Sequence, residues 1–139
     1  MDKSLQARQS PLDVLQTRID LLKKFQRKIE LSLEKGGSTH SFDFVCEQVI
    51  TGGMLTLTTS DSIMILEVMH YPLKKVLNVF VAAGERDAVL HMHDDLLRLA
   101  RAHGCSTVST IGRKGWRGHL DKLGWRNPLT LWTIEVDDG

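Results

Sequence analysis

The chain has few of the residues that crosslink or stiffen a small protein, and its charges nearly cancel. Its 139 residues include two cysteines, three prolines and one tyrosine, and 18 Lys+Arg against 17 Asp+Glu leave a formal charge of +1. Cys46 and Cys105 stand outside any close-spaced metal or redox motif, so we expect two buried free thiols, a reducing compartment and no bound metal. The balanced charge excludes a global electrostatic attraction to nucleic acid.

Long apolar runs are also missing from the sequence. No stretch approaches the roughly 18 apolar residues of a membrane span, and the polar residues 1–10 lack the apolar region of a signal peptide. We therefore expect no transmembrane segment and no signal peptide, which favours the cytoplasm. A chain of this length falls in the size range of one domain and can bury a hydrophobic core without metals or disulfides.

A long helix is predicted near the start of the chain, over about residues 10–34. Ser10 has the composition of an N-cap, with Pro11 in the first helical position, and apolar residues recur at helical spacing from Leu12 to Ile29. The opposite side of the helix is basic, which is typical of either a solvated face or a phosphate-binding stripe, and comprises Arg18, Lys23, Lys24, Arg27 and Lys28.

A second helix is predicted over residues 41–51, between two glycine pairs. The apolar side of the first helix is expected to cover the sheet or to meet another chain, because a soluble monomer seldom leaves such a stripe in water. We divide the chain into residues 1–40, a flexible tail and a long amphipathic basic helix, and residues 41–139, the two parts forming one compact unit.

The rest of the chain predicts an α/β protein with a mixed (α+β) sheet. Three strands joined by short turns are expected to pair as an antiparallel meander. The third strand, the next helix and the strand after it then form a right-handed parallel crossover, followed by a short helix and a final strand. These strands are predicted over 54–60, 63–70, 76–83, 105–111 and 129–136, and the crossover helix over 87–103.

This order of elements, with Leu123-Gly124-Trp125 before the last strand, resembles the GCN5-related N-acetyltransferase (GNAT) fold over about residues 41–136. The runs Ile50-Thr51-Gly52-Gly53 and Gly112-Arg113-Lys114-Gly115-Trp116 are moreover similar to small GNAT-like proteins of tailed bacteriophages. The resemblance implies a GNAT-like fold with two N-terminal helices, a meander, a βαβ crossover, a short helix and a final strand. It also implies a location in the host cytoplasm or in the virion.

In GNAT enzymes the loop after the long central strand holds the coenzyme A pyrophosphate through its backbone N–H groups. The resemblance makes Ala82, Gly84 and Arg86 the cofactor-binding candidates, and it makes acetyl coenzyme A the cofactor if the protein is catalytic. Glu85 and Asp87 bring negative charge to this loop. The tyrosine that acts as general acid in many members corresponds here to Leu120, which has no proton to give.

Two residues remain as catalytic candidates, and one pair is set aside. Glu67 lies on the meander where some family members have a general base, and His119 stands next to Leu120. His91 and His93 resemble a metal pair, but residues two apart on an intact helix point about 200° apart and do not converge on one ion.

The segment before the last strand is basic and contains two tryptophans. It is expected to bind phosphates or an acidic protein partner, or to expose its cations to water while Trp116, Leu120 and Leu123 form the buried face of a short helix. The partner-binding or phosphate-binding candidates are Arg113, Lys114, Trp116 and Arg117.

Two functions follow from these observations. The first is a catalytically degenerate phage GNAT-fold protein that acts in virion assembly through protein partners, including phage structural proteins or a second copy bound through the N-terminal helix, with no cofactor. The alternative is an acetyl-CoA-dependent N-acyltransferase with an atypical cofactor loop. No membrane partner is expected, and nucleic acid stays open.

Overall fold

The computed structural model describes residues 10–111 and 116–137. Its helices are α1 (Pro11–Lys35), α2 (Phe42–Thr51), α3 (Arg86–His91), α4 (His93–Ala102) and α5 (Arg117–Lys122). Its strands are β1 (Leu55–Thr58), β2 (Ile63–His70), β3 (Lys75–Ala83) and β4 (Thr107–Thr110).

The strands form one mixed sheet in the order β1-β2-β3-β4. The first three strands pair antiparallel through short turns, and β3 pairs parallel with β4 through the α3–α4 crossover. The predicted fold class, an antiparallel meander joined to a parallel crossover, is therefore confirmed.

Helix α1 begins at a capping box, in which Ser10 Oγ accepts from the Asp13 N–H and the Asp13 carboxylate accepts from the Ser10 N–H. Only its C-terminal part, from Leu22 onward, is buried against the rest of the protein, through Leu22, Phe25, Ile29 and Leu33. The predicted stripe is thus shifted along the helix, because α1 extends beyond the sheet at its N-terminal end, where Leu12 is 77% exposed.

Two of the five cations predicted to form a basic face on α1 bind within the chain. Arg18 Nη1 donates to the Ile50 carbonyl oxygen at 2.8 Å, and Lys28 Nζ donates to the Asp61 carbonyl oxygen at 2.7 Å. These bonds tie α1 to the end of α2 and to the β1–β2 turn. Part of the basic face therefore positions secondary structure.

Buried side chains form one cluster on each face of the sheet. The first joins α1 and α2 to β2 and β3 around Phe25, Ile65 and Val81, and the second joins α4 to the same strands around Leu66 and Leu77. Burial on both faces is what the apolar composition of β2 and β3 predicts.

The two cysteines are free, and they differ in burial. Cys105 is buried in the second cluster as predicted, whereas Cys46 is half-buried beside the first. Desolvation and then the Asp43 carboxylate raise the pKa of the Cys46 thiol. The thiolate of Cys46 is therefore disfavoured.

The crossover helix predicted over 87–103 is two helices that meet at Met92. Met92 has φ −80° and ψ 0°, and its side chain is buried in the second cluster. Helical periodicity continues across the break, which is why the sequence alone predicts a single helix.

The last predicted strand, 129–136, is not formed. Residues 125–137 have no regular secondary structure, and the large apolar side chains within 129–136 are exposed. The physical reason is that no strand in the described part of the chain pairs with them. The predicted short helix is present as α5, and residues 112–115 before it lie outside the described residues.

In the described parts of the chain, no helix is both long enough and apolar enough to cross a membrane.

The packing of α1 predicts a sharp contrast along one helix. Ile29→Ala should lower the free energy of unfolding by about 2–5 kcal/mol, because Ile29 is fully buried and its truncation leaves a cavity. Leu12→Ala is the matched control and should change it by less than about 0.5 kcal/mol. Urea unfolding followed by circular dichroism measures both, and equal losses would contradict this account of α1.

Candidate functional site

The sheet is interrupted on both edges of β3 at one residue, Phe80. On the β2 side the register shifts, because Ile65 pairs with Val81 and Leu66 with Val79, so Phe80 is an extra residue in a β-bulge. On the other side the last β3–β4 pair is Val79 with Thr110, although β3 continues to Ala83. We call this the fork.

Beyond the fork, the β3 edge from Phe80 to Ala83 has no strand partner in the described part of the chain. Backbone N–H and C=O groups on such an edge can bind an extended, amide-containing ligand as an added strand. The fork thus leaves an unpaired, polar backbone edge inside an otherwise apolar region.

A cavity of about 320 Å³ lies at the fork, and we call it the cleft. One side of the cleft carries Met64 and Leu96 from the α4 face, and the other carries Phe80 and Lys35 from the α1 face. The cleft therefore has walls from both faces of the sheet, at the level where β3 and β4 separate. A volume near 300 Å³ is at the lower end of the range for small-molecule sites.

Helix α5 and its flanks close the cleft with apolar side chains. Trp116, Leu120 and Leu123 all line it, which confirms that the three share one side of the short helix. They are only partly buried, and Leu123 is 41% exposed. Their common face therefore lines an open cavity and is not the buried face that the sequence predicts.

The predicted cofactor residues lie around the end of β3. Ala82 lines the cleft, and Arg86 begins α3. Gly84 has φ +119°, and a Cβ there would lie 2.5 Å from the Asp61 carbonyl oxygen and 2.5 Å from Ser62 Oγ. The glycine is therefore required by the close approach of the β1–β2 turn.

The acidic residues of this loop are directed to solvent. Glu85 and Asp87 are exposed on either side of Arg86. They place two negative charges near the end of β3, where they disfavour an anionic ligand group.

Glu67 belongs to a polar network that crosses three strands. Asn78 Nδ2 donates to Glu67 Oε1 at 3.0 Å, and Ser109 Oγ donates to Asn78 Oδ1 at 3.0 Å. The Asn78–Ser109 pair directly precedes the last pair before the fork. The Glu67 carboxylate does not line the cleft but lies one hydrogen bond from the strand pair beside it.

The remaining predicted residues are not brought together into one site. His119 is half-buried on α5 and does not line the cleft, and it is not hydrogen-bonded to Glu67 among the described residues. Arg117 is exposed on the same helix. Arg113 and Lys114 lie outside the described residues, so their predicted partner role stays a prediction.

His93 lines the cleft in a role that the sequence did not indicate. Trp125 Nε1 donates to His93 Nε2 at 2.8 Å, so the Nε2 atom is an acceptor and the neutral imidazole carries its proton on Nδ1. This bond ties the start of α4 to the end of α5. It forms between residues 32 positions apart, which no local motif predicts.

His40 is a second residue that the sequence analysis missed. Its ring packs edge-on against Phe80 with centroids 4.6 Å apart, and Phe44 lies 5.2 Å from it on the other side. The α1–α2 loop is thereby held against the bulge.

No group of three or more metal-ligating side chains occurs among the residues described here. His93 is engaged by Trp125, and His91 ends α3 on the other side of the Met92 break.

A comparison of the sequence with models of known protein families finds no match, and neither does one with curated protein sequences. Solved structures do match. A probable acetyltransferase has a TM-score of 0.63 at 12% identity, over 88% of this chain and 95% of that one. An aminoglycoside acetyltransferase from an uncultured soil metagenomic sample has a TM-score of 0.60 at 14% identity, over 93% of this chain and 95% of that one. Glucosamine-6-phosphate N-acetyltransferase from Arabidopsis thaliana has a TM-score of 0.59 at 14% identity, over 82% of this chain and 93% of that one.

These neighbours establish the class of fold. The chain has a GNAT-like fold, a mixed four-stranded sheet with helices, as the resemblance in its sequence implies. Sequence identities of 12–14% to these neighbours support the fold alone. The function has to be argued from the site.

The His93–Trp125 hydrogen bond generates a second prediction. His93→Phe should lower the free energy of unfolding by about 1–2 kcal/mol, because the partly buried indole N–H loses its acceptor. The same change at exposed His91 should have an effect below about 0.5 kcal/mol. Thermal unfolding of the two variants makes the comparison, and a harmless His93→Phe would show that the bond does not hold the cleft.

Proposed function

We propose that the protein is an N-acyltransferase that uses acyl coenzyme A. The observation that carries this proposal is the fork, where an unpaired strand edge and an apolar cleft meet. The acetyltransferase neighbours support the same reading.

Residues at the fork fit the pantetheine part of such a ligand. The backbone of Phe80–Ala83 would bind its amides, and Leu96, Trp116 and Leu120 would surround the thioester and exclude water. Bound acyl coenzyme A supplies an activated acyl group for transfer to an amine. The fit is poorer for the diphosphate, because Glu85 and Asp87 flank the loop.

The acceptor amine is proposed to approach from the α1 face of the cleft. Lys35, Phe80 and the neighbouring His40 lie on that side, close to the strand pair that carries Asn78. Glu67 is the candidate base, since its carboxylate can accept a proton through water, while the hydrogen bond from Asn78 Nδ2 holds it in place.

Leu120 limits the proposed reaction. It lines the cleft at the position that the resemblance assigns to a proton-donating tyrosine, so the departing thiolate has to take its proton from solvent. Slow turnover is the expected consequence, because a positioned acid or base typically contributes about 10²–10⁴-fold.

A catalytically degenerate GNAT-fold protein in the particle or assembly pathway of a phage is the second candidate function. Leu120 in place of a proton donor and the acidic Glu85–Asp87 loop are the observations that favour it. Its protein partners and its phage association stay predictions, and absence of acyl coenzyme A binding would favour it over the enzyme.

Calorimetry with acetyl coenzyme A tests the proposed ligand. We expect micromolar affinity, about 8 kcal/mol of binding free energy. Leu123→Glu should weaken binding at least about 10-fold because it puts a carboxylate on the apolar cleft wall. Leu73→Glu, at a fully exposed site outside the cleft, should bind like the parent. No binding by the parent chain, or equal weakening by both variants, would refute the cleft as the ligand site.

A matched pair at Leu120 tests the chemistry. Leu120→Tyr should raise kcat for an amine acceptor at least about 10-fold over Leu120→Phe, because only the tyrosine adds a hydroxyl that can protonate the thiolate. A steady-state assay of free thiol release measures both variants. If the two rings had the same effect, proton supply at this position would not limit turnover.

A further inference from the structure

The C-terminal segment, residues 129–136, carries a dense set of exposed apolar side chains. Their exposed fractions are 84% for Leu129, 66% for Leu131, 87% for Trp132, 88% for Ile134 and 87% for Val136. Soluble monomers rarely expose contiguous apolar patches of this kind, which mark interaction sites.

The same segment has the composition of a strand. Residues alternate along it so that Thr130, Trp132, Ile134 and Val136 share one face, and β-branched and aromatic residues predominate. Pro128 precedes the segment and no proline interrupts it. It therefore has the composition of a strand but no strand partner in the described part of the chain.

An edge without a partner lies beside it. Strand β4 pairs with β3 on one side, and its other edge meets no strand in the described part of the chain. A groove of about 830 Å³ runs along that edge, between β4 with α4 on one wall and residues 126–131 on the other. Residues 129–131 of the same chain form part of the far wall and do not fill the groove, and in an exchange they would leave this wall for the groove of the other copy.

We propose that residues 129–136 of a second copy enter this groove and pair with β4, in a reciprocal exchange that makes a two-fold symmetric dimer. Each copy has one open strand edge and one unpaired segment of strand composition. A single two-fold axis therefore pairs the segment of each copy with the β4 edge of the other. Charge also matches, because Arg101 and Arg126 line the groove while Glu135 and Asp137 flank the end of the incoming strand.

The exchanged strand would also cover the cleft. Ile111, Leu123 and Trp125 line both the groove and the cleft, so a strand in the groove adds an outer wall to the cavity. The dimer stands on the exposed segment and the open edge, and it does not rest on the proposed acyl transfer.

Sedimentation equilibrium of the full chain, from about 1 to 100 µM, tests the association. We expect a dimer for the parent. Trp132→Lys combined with Ile134→Lys should raise the dimer Kd at least about 100-fold, because each change acts twice in a symmetric exchange. Tyr71→Lys combined with Leu73→Lys, two exposed positions on the β2–β3 turn, is the matched control and should leave the dimer intact.

Hydrogen exchange on the parent chain identifies the occupant without any variant. Amides of residues 129–136 should be protected at concentrations where the dimer forms and should lose protection on dilution. A monomer at every concentration would overturn the proposal, whether its segment is protected by pairing within one chain or is unprotected. A dimer that survives both lysine substitutions would overturn it too, because the interface would then lie elsewhere.

Discussion

Strand β3 has a hydrogen-bonding neighbour on each side up to Val79, and then the regular ladder is interrupted on both sides at the next residue. The bulge at Phe80 bends the strand against β2, and β4 ends its pairing at Thr110. Everything that makes the cleft depends on this interruption, because a continuous ladder would close the space between β3 and β4. The position of the candidate site is therefore determined by strand pairing, and the side chains only line the space that the pairing leaves.

Packing on the two faces of the sheet holds the fork open. The α1–α2 side brings Phe25 and Ile65 together, while the α4 side packs Leu96 and Met92 on the opposite face. His93 begins α4 directly after the break at Met92, and it accepts a hydrogen bond from Trp125. The hydrogen bond between these two side chains then connects the crossover to α5, which forms the outer wall of the cleft.

The chemistry of the cleft divides into two parts. Its interior is apolar and lies along a free backbone edge, which suits an amide-containing arm with a thioester, while the loop beyond it carries Glu85 and Asp87. The fold does not decide which ligand binds, so the particular residues of the cleft have to decide it. The cleft therefore offers few groups that could transfer a proton. Leu120 has no proton to give, and Glu67 lies beside the cleft in a hydrogen-bond network and does not line it.

The sequence by itself determined the order of elements, the antiparallel meander, the parallel crossover and the shared face of Trp116, Leu120 and Leu123, because these follow from local periodicity, capping and short turns. Only the tertiary structure decided the bulge at Phe80, the break at Met92, the Trp125–His93 bond and the unpaired state of residues 129–136. Each of these depends on which groups meet across the sheet, and alternation or helical spacing along the chain carries no information about such distant partners. Residues 129–136 show the difference most plainly: their composition is that of a strand, but a strand forms only by pairing with an edge, and within one chain residues 129–131 line the groove beside β4 without pairing with it.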